Sequence, residues 1–123
     1  VLSADPATMV FDEVDAGVGG AAAQAVGSAL GRLGRQRQVL VVTHLAQVAA
    51  HADTQVAVVK QAAGKRAGAG GAGDTVSVTA AALDTDARIV ELSRMLSGSP
   101  ASESAREHAA ELLSEASTAK ART

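Results

Sequence analysis

The stretch that most constrains this chain is residues 8–17, TMVFDEVDAG, in which an apolar run meets two adjacent carboxylates. Met9 to Phe11 has the character of a buried strand. Burying Asp12 and Glu13 behind it would cost free energy unless a positive group met them. The favourable arrangement places both carboxylates at the carboxyl end of the strand, the edge at which open α/β sheets bind ligands. This stretch therefore predicts an α/β fold with a site at a strand end.

A second apolar run, residues 39–43, is followed directly by His44. Because it does not alternate with polar residues, we expect a strand buried on both faces, as in a parallel sheet. Residues 21–35 predict a helix between the two strands. Its expected apolar stripe consists of Ala22, Ala25, Val26, Ala29, Leu30 and Leu33. Strand, helix and strand make a βαβ unit, which would bring His44 and the carboxylates to one edge of the sheet.

The remainder of the chain predicts a short helix, a β-hairpin and two further helices. The short helix is expected over 45–52, and the hairpin strands over 54–60 and 75–80. Between these strands, the Gly- and Ala-rich segment 62–73 has the composition of a flexible linker. Asp84 is a plausible N-cap for the first C-terminal helix, and Gly98 ends that helix.

The last helix is expected over residues 105–117, and the tail 120–123 is expected to fray. Its predicted apolar face consists of Ala105, Ala109, Leu112, Leu113 and Ala116. We expect residues 1–4 to be the last turn of a preceding helix and Asp5-Pro6 to form a turn. With 123 residues starting at Val1, the chain is expected to be a single partial domain within a longer protein.

Composition excludes several classes of function. The absence of Cys excludes disulfides and thiolate metal sites. No apolar run approaches the ~20 residues of a membrane span, so no membrane partner is expected. The net charge of −2 gives no electrostatic case for nucleic-acid binding by this stretch itself. His51 and His108 are expected on helix surfaces, without metal-ligand spacing.

The adjacent carboxylates suit a division of labour. Side chains at consecutive strand positions point to opposite sides, so Asp12 and Glu13 are poorly placed to share a proton. One could hold a hydrated Mg²⁺, and the other could orient or deprotonate an attacking water. His44 could donate a hydrogen bond to a developing negative charge. The alternatives are a solvated loop start for the carboxylates and a structural role for the histidine.

These residues resemble known motifs. Residues 9–13, MVFDE, resemble a Walker B motif of ABC-type ATPases; residues 14–17, VDAG, resemble the D-loop that follows it; and residues 41–44, VVTH, resemble the switch-histidine loop. The longer pattern FDEVDAGVGG followed by VVTHLAQVAAHAD is similar to the RecN family of bacterial DNA repair proteins, which are SMC-like ATPases. The resemblance implies an α/β fold: the C-terminal part of a P-loop (ABC-type) ATPase head, from Walker B onward.

The resemblance also implies roles for individual residues. Asp12 would coordinate Mg²⁺ through water, and Glu13 would be the catalytic base. His44 would sense the γ-phosphate of ATP. Asp15 would act across a head-to-head homodimer, and Gly17 would belong to the same nucleotide-binding D-loop. The implied cofactors are ATP and Mg²⁺, and the full-length protein would act on DNA in double-strand break repair and recombination. Its implied location is the bacterial cytoplasm, in association with the nucleoid.

The sequence also departs from a complete ATPase head. The chain contains no G-x-x-x-x-G-K-[ST] loop to cradle phosphates. We therefore expect the isolated chain not to hydrolyse ATP. Two alternatives stay open: another SMC- or RecF-type ATPase head, which would share Walker B and the D-loop, or a truncated, non-catalytic interaction module that docks a partner through its α/β core.

Overall fold

A computed structural model of the chain describes residues 7–14, 16–62, 76–99 and 102–122. The fold is α/β. Its elements are, in order, β1 (Thr8–Asp12), α1 (Gly20–Leu33), β2 (Gln38–Val42), α2 (Ala46–Ala49), β3 (Val56–Ala62), β4 (Val76–Ala82), α3 (Thr85–Ser97) and α4 (Glu103–Ala121). This order confirms the predicted one, with the bounds shifted by a few residues. The turn and helix end expected before Ala7, and the linker after Ala62, lie outside the described residues.

Strands β1 and β2 form a parallel pair joined by α1, which confirms the predicted βαβ unit. The register runs from Thr8 opposite Gln38 to Asp12 opposite Val42. The two strands therefore end level with each other. This register, rather than either strand alone, sets which residues meet at the carboxyl edge.

The expectation that β2 is buried on both faces is wrong. Val39 and Val41 are half-buried, whereas Leu40 is 51% exposed and Val42 59% exposed. Val10, which lies opposite Leu40 in the ladder, is 67% exposed. The alternation shows that the rest of the described chain covers only one face of this two-stranded sheet.

The core lies among α2, α3 and α4. Its buried members are Ala46, Ala49, Ala50, Leu92, Ala109, Leu112 and Ala116. The apolar face predicted for the last helix is confirmed, with four of its residues buried and Leu113 half-buried. Because most of these side chains are methyl groups, the helices must approach closely to exclude water. Leu92, fully buried on α3, supplies the largest apolar side chain among the fully buried residues.

The stripe predicted for α1 is only partly correct. Its Val and Leu members are half-buried, and Ala22, Ala25 and Ala29 are exposed, while Ala23 and Gly27 are buried instead. The reason is that α1 packs against α2 through Gly27, where the missing Cβ makes room for the imidazole of His51. His51 is accordingly half-buried, and its expected place on a helix surface is wrong; His108 is exposed as expected.

The C-terminal end of α4 is held in place, so the expected fraying of residues 120–122 is also wrong. Lys120 Nζ lies 2.6 Å from Asp53 Oδ1, and the Arg35 guanidinium donates to the Lys120 carbonyl oxygen. These contacts tie the end of α4 to the loop after α2 and to the segment after α1. The helix continues to Ala121.

Strands β3 and β4 pair antiparallel, which confirms the predicted hairpin strands. The Leu83 amide donates to the Gln55 carbonyl at 2.9 Å and closes the base of the hairpin. The hairpin's large apolar side chains are exposed: Val56, Val58, Val59, Val76 and Val78. Within the described part of the chain, no helix has the length and apolarity needed to cross a membrane.

Candidate functional site

The carboxyl ends of β1 and β2 bring the sequence-predicted residues to one edge of the sheet. Asp12 is the last paired residue of β1, opposite Val42. The Glu13 amide donates to the Val42 carbonyl at 3.2 Å, which extends the contact between the strands by one residue. His44 follows Val42 by two positions. Asp12, Glu13 and His44 are all exposed to solvent at this edge.

The backbone of Glu13 is strained. Its φ of 53° makes it the one non-glycine residue with positive φ in the described part of the chain. Such a conformation costs about 1–2 kcal/mol for a residue with a Cβ, and strain of this kind is concentrated at functional sites. The Glu13 carbonyl accepts a hydrogen bond from the Ala16 amide at 3.1 Å, which closes a tight turn directly after the strand.

The backbone conformation changes between the two acidic residues. Asp12 still belongs to the extended strand, whereas Glu13 has entered the left-handed region. The two acidic residues thus differ in backbone conformation, which is compatible with different tasks for each. Gly17, with a φ of 76°, supplies a second left-handed position in the turn and has no Cβ to oppose it. Asp15 lies outside the described residues.

His44 is positioned by a local turn between β2 and α2. The Thr43 hydroxyl oxygen accepts a hydrogen bond from the Leu45 amide at 3.0 Å. The Leu45 carbonyl in turn accepts from the amides of Val48 and Ala49, which starts α2. The backbone of His44 is therefore fixed by the strand on one side and by a single helical turn on the other.

The acidic residues at this edge fit a hydrated Mg²⁺ better than a metal held wholly by protein. Within the described ranges, no group of three or more His, Cys, Asp or Glu side chains could hold a metal ion. Mg²⁺ is commonly bound through one or two carboxylates, with waters and substrate phosphates completing its shell. The exposed carboxylate of Asp12 meets that requirement at the end of β1.

A groove of about 330 Å³ lies away from this edge, between α1, α2 and α4. Its polar lining consists of Gln24, Ser28, Gln47, His51 and Glu115. Gln47, three residues after His44, lines this groove. The groove does not include Asp12, Glu13 or His44, so these three residues form an open edge rather than the wall of this cavity.

Sequence reasoning missed Arg88, on α3. Its Nη2 donates to the carbonyl oxygens of Ala52, Ala49 and Ala50 at 3.0, 3.3 and 3.5 Å, and its Nε donates to Gln55 Oε1 at 3.4 Å. Burial lowers the pKa of the guanidinium, and the negative charge of Asp53 partly opposes this effect. The available signal was one of two arginines on an amphipathic helix, a pattern that does not reveal the partner of Arg88.

Comparison with known proteins identifies relatives along nearly the whole chain. No family model matches it. It is 54% identical over 113 residues to the DNA repair protein RecN of Deinococcus radiodurans, 51% identical over 111 residues to that of Mycobacterium leprae, and 40% identical over 106 residues to that of Treponema pallidum.

These alignments cover 92%, 90% and 86% of this chain, but only 18%, 17% and 17% of the three relatives. The chain thus spans less than one fifth of the length of the proteins it matches. Over nearly its whole length, the chain therefore corresponds to a C-terminal part of the RecN DNA repair proteins.

Proposed function

We propose that this chain supplies the Walker B, D-loop and switch-histidine part of an ATP-hydrolysing head in a DNA repair protein that acts in double-strand break repair and recombination. The observation that carries the proposal is the meeting of Asp12, Glu13 and His44 at the level ends of two parallel strands. The strained φ of Glu13 and the similarity to DNA repair proteins named RecN support it.

Each residue has a role that its chemistry allows. Glu13 is the general base that accepts a proton from the attacking water, while the γ-phosphate bond of ATP breaks and ADP leaves. His44 donates a hydrogen bond to a γ-phosphate oxygen, where negative charge is concentrated. The carboxylate of Asp12 would hold Mg²⁺ through a water. That ion, when present, neutralises phosphate charge.

The exposure of the strand edge supports a shared active site. The chain carries no phosphate-cradling glycine loop, and Asp12, Glu13 and His44 are open to solvent. Groups that bind the β- and γ-phosphates must therefore come from elsewhere in the assembled protein. In this proposal, the D-loop with Asp15 and Gly17 faces a second head in a head-to-head homodimer, and DNA is the partner of the whole protein.

The test uses a full-length RecN protein that carries this chain as its C-terminal part. Glu13→Gln keeps the size of the side chain but removes the base, and should lower ATP turnover by about 100- to 10,000-fold. The variant should still bind ATP and should accumulate ATP-bound dimers, measured by light scattering. His44→Ala should also slow turnover.

Matched controls separate these roles from general damage. His108 is an exposed histidine on α4, and Glu107 is an exposed carboxylate beside it. His108→Ala and Glu107→Gln should leave turnover unchanged. Turnover at the unmodified rate by both Glu13→Gln and His44→Ala would reject the proposed function.

A second candidate is a non-catalytic interaction module. The exposed apolar side chains of Val10, Leu40 and Val42 on one face of the parallel sheet favour it, because exposed apolar clusters often mark interfaces. Val10→Ser would then weaken assembly of the full-length protein, while Glu13→Gln would have no effect on any activity of the protein.

A further inference from the structure

The C-terminal carbonyls of α2 converge on one side chain from a distant part of the sequence. Arg88 Nη2 donates to the carbonyl oxygens of Ala49, Ala50 and Ala52, at 3.3, 3.5 and 3.0 Å. The Ala49 carbonyl also accepts from the Ala52 amide at 3.1 Å, and the Ala50 and Ala52 carbonyls lie at the end of the helix, where carbonyls commonly lack intrahelical partners. A guanidinium suits them because it is always charged and presents several donors in one plane.

Helix α2 depends on such outside support. It spans only Ala46–Ala49, and neither end has a side-chain cap from its own capping residue. A single helical turn is not stable by itself, because nucleation fixes several residues for few hydrogen bonds. Arg88 also donates from Nε to Gln55, a buried residue whose carbonyl closes the base of the β3–β4 hairpin. One side chain thus joins α3, the end of α2 and the hairpin base.

The other end of α2 begins directly after His44. The Leu45 carbonyl accepts from the amides of Val48 and Ala49, and the Leu45 amide donates to Thr43. A shift of the α2 turn would therefore move the backbone of His44. The imidazole of His44 is exposed, so burial of this side chain does not oppose the shift.

We propose that Arg88 is a positioning residue that holds α2, and through it His44, in the arrangement needed for ATP hydrolysis. This inference rests on the proposed function of His44. Arg88 contacts the C-terminal end of α2, whereas His44 directly precedes its N-terminal end. Arg88 therefore acts through the helix and not on the nucleotide. Its loss leaves the binding groups in place but misplaces the histidine.

The test compares Arg88→Gln with Arg94→Gln in a full-length RecN protein that carries this chain. Arg94 lies on the same helix and pairs with Glu91 at 2.6 Å on the surface, so it is a matched control. Arg88→Gln should lower kcat for ATP by about 10- to 100-fold, because misplacing a catalytic group by about 1 Å can cost about 100-fold. KM for ATP should stay unchanged, and Arg94→Gln should change neither constant.

Two further measurements separate positioning from general destabilisation. Hydrogen exchange should become faster in Arg88→Gln at the amides of residues 49–52, and not at the core amides of α4. In a His44→Ala background, Arg88→Gln should cause no additional loss of kcat, because the group that it positions is gone. The proposal would be overturned if Arg88→Gln left hydrogen exchange at residues 49–52 or kcat unchanged. It would also be overturned if Arg88→Gln lowered kcat by the same factor in the His44→Ala background as in the wild-type protein.

The same variants distinguish a failure of the positioning role of Arg88 from a failure of the proposed function. If Glu13→Gln and His44→Ala retain full turnover, the ATPase roles are wrong and the coupling to catalysis falls with them. If those variants are impaired but Arg88→Gln is not, only the positioning role is wrong. Wild-type turnover of Arg88→Gln with faster exchange at 49–52 would likewise overturn the link to His44.

Discussion

Gly27 and His51 are packed so closely that no side chain fits between them. A Cβ placed on Gly27 would lie 2.6 Å from His51 Cδ2, 2.9 Å from the Gln47 carbonyl oxygen and 3.1 Å from the Val48 Cα. Two of these three neighbours are backbone atoms of the α2 segment and cannot move aside like a flexible side chain. The contact sets the distance between α1 and α2, and so links the helix of the βαβ unit to the helix that follows His44.

Gly27→Ala should destabilise the protein. The added methyl group overpacks the contact between α1 and α2, with an expected loss of about 1–3 kcal/mol in the free energy of unfolding. Gly31→Ala is the matched control, because its Cβ would meet its nearest atom, the His51 carbonyl oxygen, at an ordinary 3.6 Å. It should stabilise α1 by up to about 1 kcal/mol. Chemical denaturation of both variants checks the prediction, and equal stabilities would contradict it.

The stability of the protein should fall as the pH drops below about 6.5. Burial, followed by the positive charge of Lys120, lowers the pKa of His51 from its ordinary value of 6.5. Between the lowered pKa and 6.5 the unfolded chain binds the proton more readily, so acidification favours unfolding. Above pH 6.5 the imidazole is neutral in both states and this effect is absent.

Unfolding midpoints measured from pH 7.5 to 5.5 test this dependence. His51→Gln should weaken the fall in stability, whereas His108→Gln, at an exposed position, should retain it. Lys120→Gln should also reduce the fall, since it removes one of the two causes. A fall of unchanged size in His51→Gln would show that other groups are responsible.

Ser93→Ala should stabilise the protein. Ser93 is fully buried on α3, and its Oγ finds no hydrogen-bond partner among the described residues. Removing an unsatisfied buried hydroxyl is expected to gain about 1 kcal/mol. Ser97→Ala provides the contrast, because the Ser97 hydroxyl can donate its one hydrogen to either the Ser93 or the Ser99 carbonyl oxygen, at 2.9 and 2.6 Å. The midpoint temperature of thermal unfolding should rise for Ser93→Ala and not for Ser97→Ala.

Asp84→Ala should weaken the start of α3. The Asp84 carboxylate accepts a hydrogen bond from the Ala87 amide at 2.8 Å, as the sequence predicted for an N-cap. Losing this cap should lower the free energy of unfolding by about 1 kcal/mol. Asp84→Asn should retain most of the stability, because asparagine also caps well, and Asp86→Ala within the helix should lose less than Asp84→Ala.

The isolated chain should not hydrolyse ATP. It has no phosphate-cradling loop in its sequence, and its three candidate site residues lie on an open edge. Purified 1–123 incubated with Mg·ATP should release no phosphate above background in a coupled assay. Turnover that Glu13→Gln abolishes would contradict this prediction, whereas turnover insensitive to that substitution would indicate a contaminating enzyme.

The strand order and the site edge were accessible from sequence because local patterns decide them. Three apolar residues before Asp12, and an apolar run before His44, define two strands whose ends the βαβ connection brings together. Burial was harder to predict. The uniform apolar run of β2 suggested two covered faces, yet Leu40 and Val42 are exposed, because coverage depends on what else packs on the sheet.

The sequence by itself determined the order of elements, the N-cap at Asp84 and the presence of carboxylates and a histidine after two strands. Each follows from residues close together in the chain. Only the tertiary structure decided the left-handed turn at Glu13, the packing of His51 on Gly27 and the hold of Arg88 on α2. The contact between His51 and Gly27 and the hydrogen bonds of Arg88 to α2 join residues that are far apart in sequence. The turn at Glu13 follows a strand that is fixed by its pairing with β2. No local sequence pattern therefore encodes these features.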